Sequence, residues 1–405
     1  MERQASMRCC KEGVLMNTWK LWARRCVCTL ASCVLLALPV VSEATQKATV
    51  NWSPNVFAAG ELTPASLVGV SGVSHDIAAA LTERLRELDH AGKLPFTLNE
   101  QGTSDVDIQA ITDEEGISLQ PFAVLDTSLD SKVTVNGKTI YKSIVLSGLD
   151  VAVASWDSST QEYRMLGMIP LNTYATIERA TPFTLEEKAA KYAEITQKMI
   201  RSDLDFNTNK KLFQDLDLRS INTQEDTYQV ADVAIGSKKA QEIFGGQSDK
   251  LRRIVASFFA GSYQQAAGKT VLPSALETGY YAKDVQANME AFTLSSPLGT
   301  RTMTIPKAKH TFIVDVCGVN SGVMDEDKSD VKRHIVYRAW LRARPAEDAP
   351  GAASEKTIDK IAMEAQYKTD NVSQKNSPVN TYTAMYLDLS QDLGQVMAGK
   401  KLKKK

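Results

Sequence analysis

Hydrophobic residues spaced three and four apart predict a helix from His75 to His90. The apolar positions fall on one side of the segment and the charged positions on the other; the apolar set is Ile77, Ala80, Leu81, Leu85 and Leu88. Ser74 is suited to cap the N-terminus of this helix, and Gly92 is suited to end it. The segment is therefore expected to pack its apolar side on a core.

Other segments carry helical signals of different kinds. Thr184 and Glu187 have the spacing of a capping box, in which each side chain bonds the backbone of the other, before the charged segment Leu185–Ile200. The remaining predicted helices are Ser248 to about Gln265, Glu355–Tyr367 and the amphipathic segment Tyr382–Met397.

Alternation of apolar and polar residues predicts strands between these helices, at 47–53, 118–125, 143–156, 163–171, 228–235, 310–319 and 331–344. In 143–156 the alternation places Leu149, Val151 and Val153 on one face. Asn136-Gly137 predicts a tight hairpin between 133–135 and 138–140, because both turn positions need a positive φ.

The order of these elements repeats along the chain. Strand, loop, helix, strand and hairpin occur in the first half and again in the second, which predicts an internal duplication with domains at 46–215 and 224–398. Each domain is expected to be a small α/β domain of the α+β type, with helices packed on a mostly antiparallel sheet. A basic tail follows at 399–405.

The N-terminal region predicts export. The apolar run Cys26–Val41 follows Lys20, Arg24 and Arg25 and leads into Ser42-Glu43-Ala44, the pattern of a secretory signal peptide cleaved near Ala44. Residues 1–44 are therefore expected to be removed, which places residues 45–405 in the periplasm or outside the cell.

Two alternatives concern this signal. Met16 is a plausible start in its own right, since residues 1–15 fit poorly in front of a signal. Cys33 ends the lipoprotein-like sequence Leu30-Ala31-Ser32-Cys33, but the strongest apolar run, Val34–Val41, comes after it. A lipid anchor needs that run ahead of the cysteine, so the sequence argues against lipidation.

Export changes the charge and the cysteine count. Residues 45–405 contain 41 Lys and Arg against 45 Asp and Glu. A nucleic-acid binder normally has a strong basic excess, so nucleic acid is not expected as a partner. Only Cys317 remains, so core packing rather than disulfides is expected to stabilise the protein. Membrane contact is expected only through the C-terminal tail Gly399–Lys405.

The chain lacks the sequence motifs of common catalytic and cofactor sites. No catalytic residue, metal site or cofactor is therefore predicted. Asp325–Asp330 alternates oxygen ligands but has Asp330 where a calcium loop needs Gly and Val336 where it needs Glu, so it is interpreted as a hairpin tip. Cys317 is predicted to be a small core residue, with a nucleophile paired with His334 as the alternative.

The strand 331–344 carries the most unusual surface pattern. Alternation places Ile335, Tyr337, Ala339, Leu341 and Ala343 on one face. The other face carries Val336 and a predicted binding surface of His334, Arg338, Trp340, Arg342 and Arg344. Trp and Arg dominate binding hot spots. The alternative is a solvated face on which Trp340 lies flat under the arginines.

Two segments resemble a small envelope α/β domain. They are Asp76–Leu85 (DIAAALTERL) and Val151–Thr160 (VAVASWDSST), and with the element order they are similar to the curli-secretion lipoproteins, the periplasmic activators of penicillin-binding proteins and the N-terminal domain of the Tol translocation protein. Gln161 stands where those families often have Gly.

The resemblance and the export signal together lead to the expected function. We expect an exported, non-enzymatic binding or assembly accessory protein of the cell envelope, with an envelope protein as partner. The alternatives are a secreted or periplasmic hydrolase whose site is built from carboxylates distant in sequence, and a structural surface component.

Overall fold

Two mixed β-sheets and two layers of helices make up the described chain, which confirms the predicted α/β class. The computed structural model describes residues 47–100, 116–135, 138–157, 159–207, 213, 227–278, 281–282, 289–296, 299–325, 332–346, 355–367 and 377–402. The predicted signal peptide, the turn Asn136-Gly137, most of the acidic hairpin tip and the last three lysines lie outside these residues.

The first half contains six strands and two helices in the described chain: β1 (Thr49–Trp52), β2 (Phe57–Ala59), α1 (Val73–His90), β3 (Thr97–Glu100), β4 (Ile117–Val135), β5 (Lys138–Asp157), β6 (Glu162–Arg179) and α2 (Leu185–Asp203). The second half contains β7 (Thr227–Ile235), α3 (Lys238–Phe244), α4 (Ser248–Ala267), β8 (Thr270–Leu272), α5 (Ala275–Thr278), β9 (Tyr281–Ala282), β10 (Met289–Ser296), β11 (Gly299–Pro306), β12 (His310–Asp325), β13 (Lys332–Pro345), β14 (Lys356–Tyr367) and α6 (Pro378–Met397).

The two halves build their sheets in the same order. The larger sheet, sheet 1, contains the run β6-β5-β4-β1-β3, and sheet 2 runs β14-β13-β12-β7-β8. In each sheet the first three strands of the run are antiparallel, and the next two pairings are parallel. This shared topology is what an internal duplication requires, and the duplication itself stays a prediction.

The halves are nevertheless packed together. Strands β10 and β11 come from the second half but belong to sheet 1, where β11 pairs with β6 and β10 pairs with β2. Lys47–Lys405 form a single compact unit. The predicted domains 46–215 and 224–398 are therefore not separate bodies.

The cores show how the layers stack. Helices α1 and α2 cover one face of sheet 1 through a core that contains Leu81, Tyr192 and Val151. Helices α4 and α6 lie between the sheets, since Phe258 and Leu387 pack on Leu146 of sheet 1 while Phe259 and Tyr386 pack on sheet 2. Sheet 1 is therefore covered on both faces, and sheet 2 has helices on its inner face.

Local patterns predicted several elements correctly. The helix predicted at 185–200 is α2 with its capping box, and Ser143–Trp156 lies within β5, with Leu149, Val151 and Val153 buried together in one core. The predicted hairpin has the expected register, because Val135 pairs with Lys138 across the turn. Gln161 has a φ of 54°, the left-handed backbone that a glycine adopts most easily.

Two local predictions are wrong. Ser74 does not cap α1, because the helix begins one residue earlier, at Val73. The capping position is Gly72, which has a φ of 85° and no side chain that could accept a capping hydrogen bond. Glu355–Tyr367 is not a helix, because residues 356–367 form the edge strand β14. Its helix-favouring Lys, Ala, Met and Glu residues are overridden by a continuous antiparallel ladder with β13.

The capping box of α2 yields a stability prediction. Thr184 Oγ1 accepts a hydrogen bond from Glu187 N at 3.3 Å, and Glu187 Oε2 accepts one from Thr184 N at 2.8 Å. Thr184→Ala leaves one helix N–H without its acceptor, so we expect a loss of about 1 kcal/mol in the free energy of unfolding measured by urea denaturation. Thr181→Ala, three residues earlier on the exposed surface, is the control and should change it by less than about 0.5 kcal/mol.

Candidate functional site

The outer face of sheet 2 is the surface that the strand pattern predicted. On β13 the five residues assigned to the inner face are all buried, and between them Arg338 is exposed while Trp340, Arg342 and Arg344 are half-buried. The alternation within this strand is therefore confirmed. We call the outer-facing residues of β12, β13 and β14 around Trp340 the outer face.

Trp340 lies flat on the sheet. It pairs across the ladder with Gly318, and a Cβ on Gly318 would lie 3.2 Å from Trp340 Cε3. The Arg338 guanidinium carbon is 5.1 Å from the centre of the indole ring. The indole ring therefore lies between Gly318 and the Arg338 guanidinium, as the alternative of a solvated face with Trp340 flat under the arginines expects.

The arginines of the outer face are paired with carboxylates on neighbouring strands. Arg338 Nε donates to Asp359 Oδ2 at 3.0 Å, and Arg342 Nη2 donates to Asp315 Oδ2 at 2.9 Å. Arg342 Nε also lies 3.0 Å from Glu355 Oε1. Hydrogen bonding to Asp315 raises the pKa of Arg342 further. Positive and negative side chains therefore alternate across the outer face, which is not a purely basic patch.

The ion pairs of the outer face are open to solvent and therefore weak. The side chains of Arg338 and Asp359 are 46% and 44% exposed, and exposed pairs of this kind contribute at most about 1 kcal/mol each. They can therefore be exchanged for pairs with another protein at little cost.

The remaining outer-face positions are partly described. The backbone of His334 pairs with Met324 and with Ala365, and its side chain lies outside the described residues. Ile361, which pairs with Arg338, is 55% exposed and adds an apolar contact point beside the tryptophan. Sequence reasoning missed Ile361 because its segment was assigned to a helix; its β-branched side chain was the available signal.

Cys317 is not a core residue. It is exposed at a bulge in β12, where the register shifts between Val316 and Gly318, and its thiol lies 3.5 Å from the Asp315 carbonyl oxygen. Phe312, Val314 and Val316 are buried, so the alternation before the bulge already places Cys317 on the outward side. Desolvation raises the pKa of the Cys317 thiol. The strand register also keeps it away from His334, which lies opposite Met324, so the Cys–His alternative is wrong.

A second group of residues is a set of carboxyls enclosed between sheet 1 and α4. Asp150 on β5 is 4% exposed, and burial followed by repulsion from Glu277 raises its pKa. Glu277 is 6% exposed, and burial raises its pKa although Ser274 N donates to Glu277 Oε2 at 2.9 Å. A substrate does not reach either carboxyl in this arrangement. Sequence reasoning missed Asp150 because nothing local distinguishes it from the surface aspartates.

Asn172 connects this region to the second half. Ser257 Oγ donates to Asn172 Oδ1 at 2.7 Å, and Asn172 Nδ2 donates to the Ser257 carbonyl oxygen at 3.2 Å. Gly148 and Gly261 make room for this side chain, since a Cβ on either would lie 2.8 Å or 2.7 Å from it. These two hydrogen bonds, called the Asn172–Ser257 clamp, join β6 of the first half to α4 of the second half.

Among the residues that the structure describes, no three His, Cys, Asp or Glu side chains are placed to hold a metal ion. None of the helices in the described ranges is long and apolar enough to cross a membrane. No protein-family model matches the chain, and no curated protein matches it in sequence.

Proposed function

We propose that the protein is an exported, non-enzymatic accessory protein of the cell envelope that binds or helps to assemble another envelope protein. Export rests on the signal-like segment 26–44. Binding rests on the outer face of sheet 2, where Trp340 lies between exchangeable ion pairs and beside the exposed Ile361.

The contrast between the two sheets is the observation that carries this proposal. The face of sheet 1 that meets α4 is covered, with Leu125, Leu129 and Leu146 buried against the helix and Asp150 enclosed nearby. The outer face of sheet 2 instead carries arginines, carboxylates and one tryptophan. Aromatic and arginine side chains with a polar surround are typical of protein interfaces that form between separately folded partners.

The test is affinity capture of the mature protein, residues 45–405, from cross-linked envelope fractions. We expect Trp340→Ala combined with Arg342→Ala to reduce capture of the partner about tenfold or more, because hot-spot residues each contribute about 2 kcal/mol or more. Mass spectrometry of the captured proteins and an unchanged urea unfolding curve are the two measurements.

The matched control is Arg201→Ala, which removes an exposed, ion-paired arginine from α2 on the far side of sheet 1. It should leave capture unchanged. Equal capture by the wild type and the Trp340/Arg342 variant would remove the outer face as the binding surface.

The alternative function is a hydrolase built from carboxylates distant in sequence. This alternative would need the enclosed carboxyls of Asp150 and Glu277, whose pKa values burial raises, to become accessible to a substrate. Hydrolysis of chromogenic ester or glycoside substrates by the mature protein, abolished in Asp150→Asn, would support this alternative over binding. Self-association at low concentration would instead support a structural surface component.

A further inference from the structure

A pocket of about 300 Å³ lies where β6, the C-terminal end of α2 and helices α4 and α6 meet. Its polar lining is provided by Asn172, Asp203, Asp205, Gln265, Gln391 and Gln395. These residues come from four elements and the loop after α2, spread over both halves of the chain, so the pocket exists only in the assembled fold.

Packing contacts hold the walls of this pocket in place. The Asn172–Ser257 clamp fixes β6 against α4, and Ser262 Oγ donates to the Gln391 carbonyl oxygen at 2.6 Å where α4 crosses α6. A Cβ on Gly261 would lie 2.7 Å from Asn172 Nδ2, so the glycine lets Asn172 approach α4 at the pocket wall. Among the described residues, β6 pairs with β11 only at Tyr163 and Arg164, so β6 is an edge where it reaches the pocket. The site is therefore preformed.

The polar groups of the pocket match a ligand with hydroxyl groups. Within the part of the chain that the structure describes, no hydrogen bond engages the side-chain amides of Gln265, Gln391 and Gln395. Each amide offers two donors and an acceptor, and a hydroxyl both donates and accepts. Pro170 adds an apolar contact on the β6 side.

The charges of the pocket exclude an anionic ligand. Asp203 and Asp205 are its charged lining residues, and neither Lys, Arg nor His is among the residues that line it. Asp205 Oδ1 already accepts hydrogen bonds from Asn207 N at 2.9 Å and from Asn207 Nδ2 at 3.1 Å. The three open amides outnumber the two carboxylates, so the lining can hold a neutral ligand through hydrogen bonds alone.

We propose that this pocket binds a neutral, hydroxyl-rich small molecule of the sugar class. The carboxylates accept from the ligand hydroxyls, and the glutamine amides donate to and accept from them. The pocket lies away from the outer face of sheet 2, so the proposal is independent of the proposed protein binding.

The test uses three probes that share one ring: glucose, glucuronate and glucosamine. In saturation-transfer NMR and calorimetric titration of the mature protein, we expect glucose to bind and glucuronate to bind about tenfold or more weakly, because its carboxylate meets Asp203 and Asp205. No glucose binding, equal binding of glucuronate, or binding of glucosamine alone would each overturn the proposal.

Variants of the lining connect the binding to the pocket. Gln391→Met combined with Gln395→Met keeps the side-chain length and removes two amides, so glucose affinity should fall about tenfold. Gln247→Met, at the start of α4 and away from the pocket, is the matched control and should bind as the wild type does. Unchanged glucose affinity in a folded Gln391/Gln395 variant would overturn the assignment. Trp340→Ala changes the outer face and not the pocket, so this variant should bind glucose as the wild type does, whether or not a protein partner is found.

Discussion

Replacing Gly394 with alanine is expected to destabilise the protein by about 2 kcal/mol, because α4 and α6 cross in direct backbone contact at this residue. A Cβ on Gly394 would lie 2.7 Å from the Phe259 carbonyl oxygen and 2.9 Å from Tyr263 N. Both atoms belong to the backbone of α4, so neither can rotate away. The helices must separate, and Phe259 and Tyr263 then lose contacts in the core of sheet 2.

Two opposing effects set the size of this change. Alanine in place of glycine favours a helix by about 1 kcal/mol, and overpacking a core costs about 1–3 kcal/mol or more. Since the contacts fall below 3.0 Å against backbone, the packing cost is expected to dominate. The measurement is urea denaturation followed by circular dichroism.

Gly236→Ala is the matched control. Gly236 has no atom within 4 Å of the position where its Cβ would be. Its substitution should change the free energy of unfolding by less than about 0.5 kcal/mol. Equal effects at Gly236 and Gly394 would show that the crossing of α4 and α6 is not as close as described.

Asp126 is expected to make the stability of the protein depend on pH. Its carboxyl oxygen Oδ2 is buried without a hydrogen-bond partner among the described residues, and desolvation raises the pKa of Asp126 from 3.8 to about 6. Arg253 opposes this rise, as do hydrogen bonds from Val68 and Ser66. The folded protein therefore holds a proton between about pH 4 and pH 6 that the unfolded chain has already released.

The sign of the effect follows from this difference. Where the folded state binds more protons than the unfolded state, the free energy of unfolding falls as the pH rises. Asp126 therefore lowers the free energy of unfolding progressively between about pH 4 and pH 6, and has no further effect above pH 6. A pKa change from 3.8 to about 6 corresponds to about 3 kcal/mol. Asp150 and Glu277 also have raised pKa values and add losses of the same sign in the wild type.

Asp126→Asn isolates the contribution of this residue. The free energy of unfolding of the variant minus that of the wild type should increase by about 3 kcal/mol between pH 4 and pH 7, measured by urea denaturation at each pH. Asp89→Asn, at an exposed position near the end of α1, is the control and should show no such trend. A difference that stays constant with pH would show that Asp126 is ionised in the folded protein across this range.

The surface strand shows how far local reasoning reaches. The alternation in 331–344 correctly assigned the buried side of β13, because successive side chains of a strand point to opposite faces. It did not reveal that Arg338 and Arg342 are paired with Asp359 and Asp315, since these carboxylates lie on the neighbouring strands β14 and β12. The charge balance of the outer face depends on strand order, which the spacing within one strand does not specify.

The sequence by itself determined the elements whose signals are local. The capping box at Thr184, the hairpin register across 136–137 and the buried face of Leu149, Val151 and Val153 all follow from spacing and turn chemistry within a few residues. The order of elements was readable only in part, since the sequence assigned 355–367 to a helix and missed the strands β8 to β11.

Only the tertiary structure decided the features that depend on contacts between distant residues. It made 356–367 a strand because β13 offered a partner, and it buried Asp150 beside Glu277 of the other half. The glutamine-lined pocket belongs to the same group, since its walls come from both halves. Pairing, burial and cavity shape are properties of the assembled layers, and local propensity does not encode them.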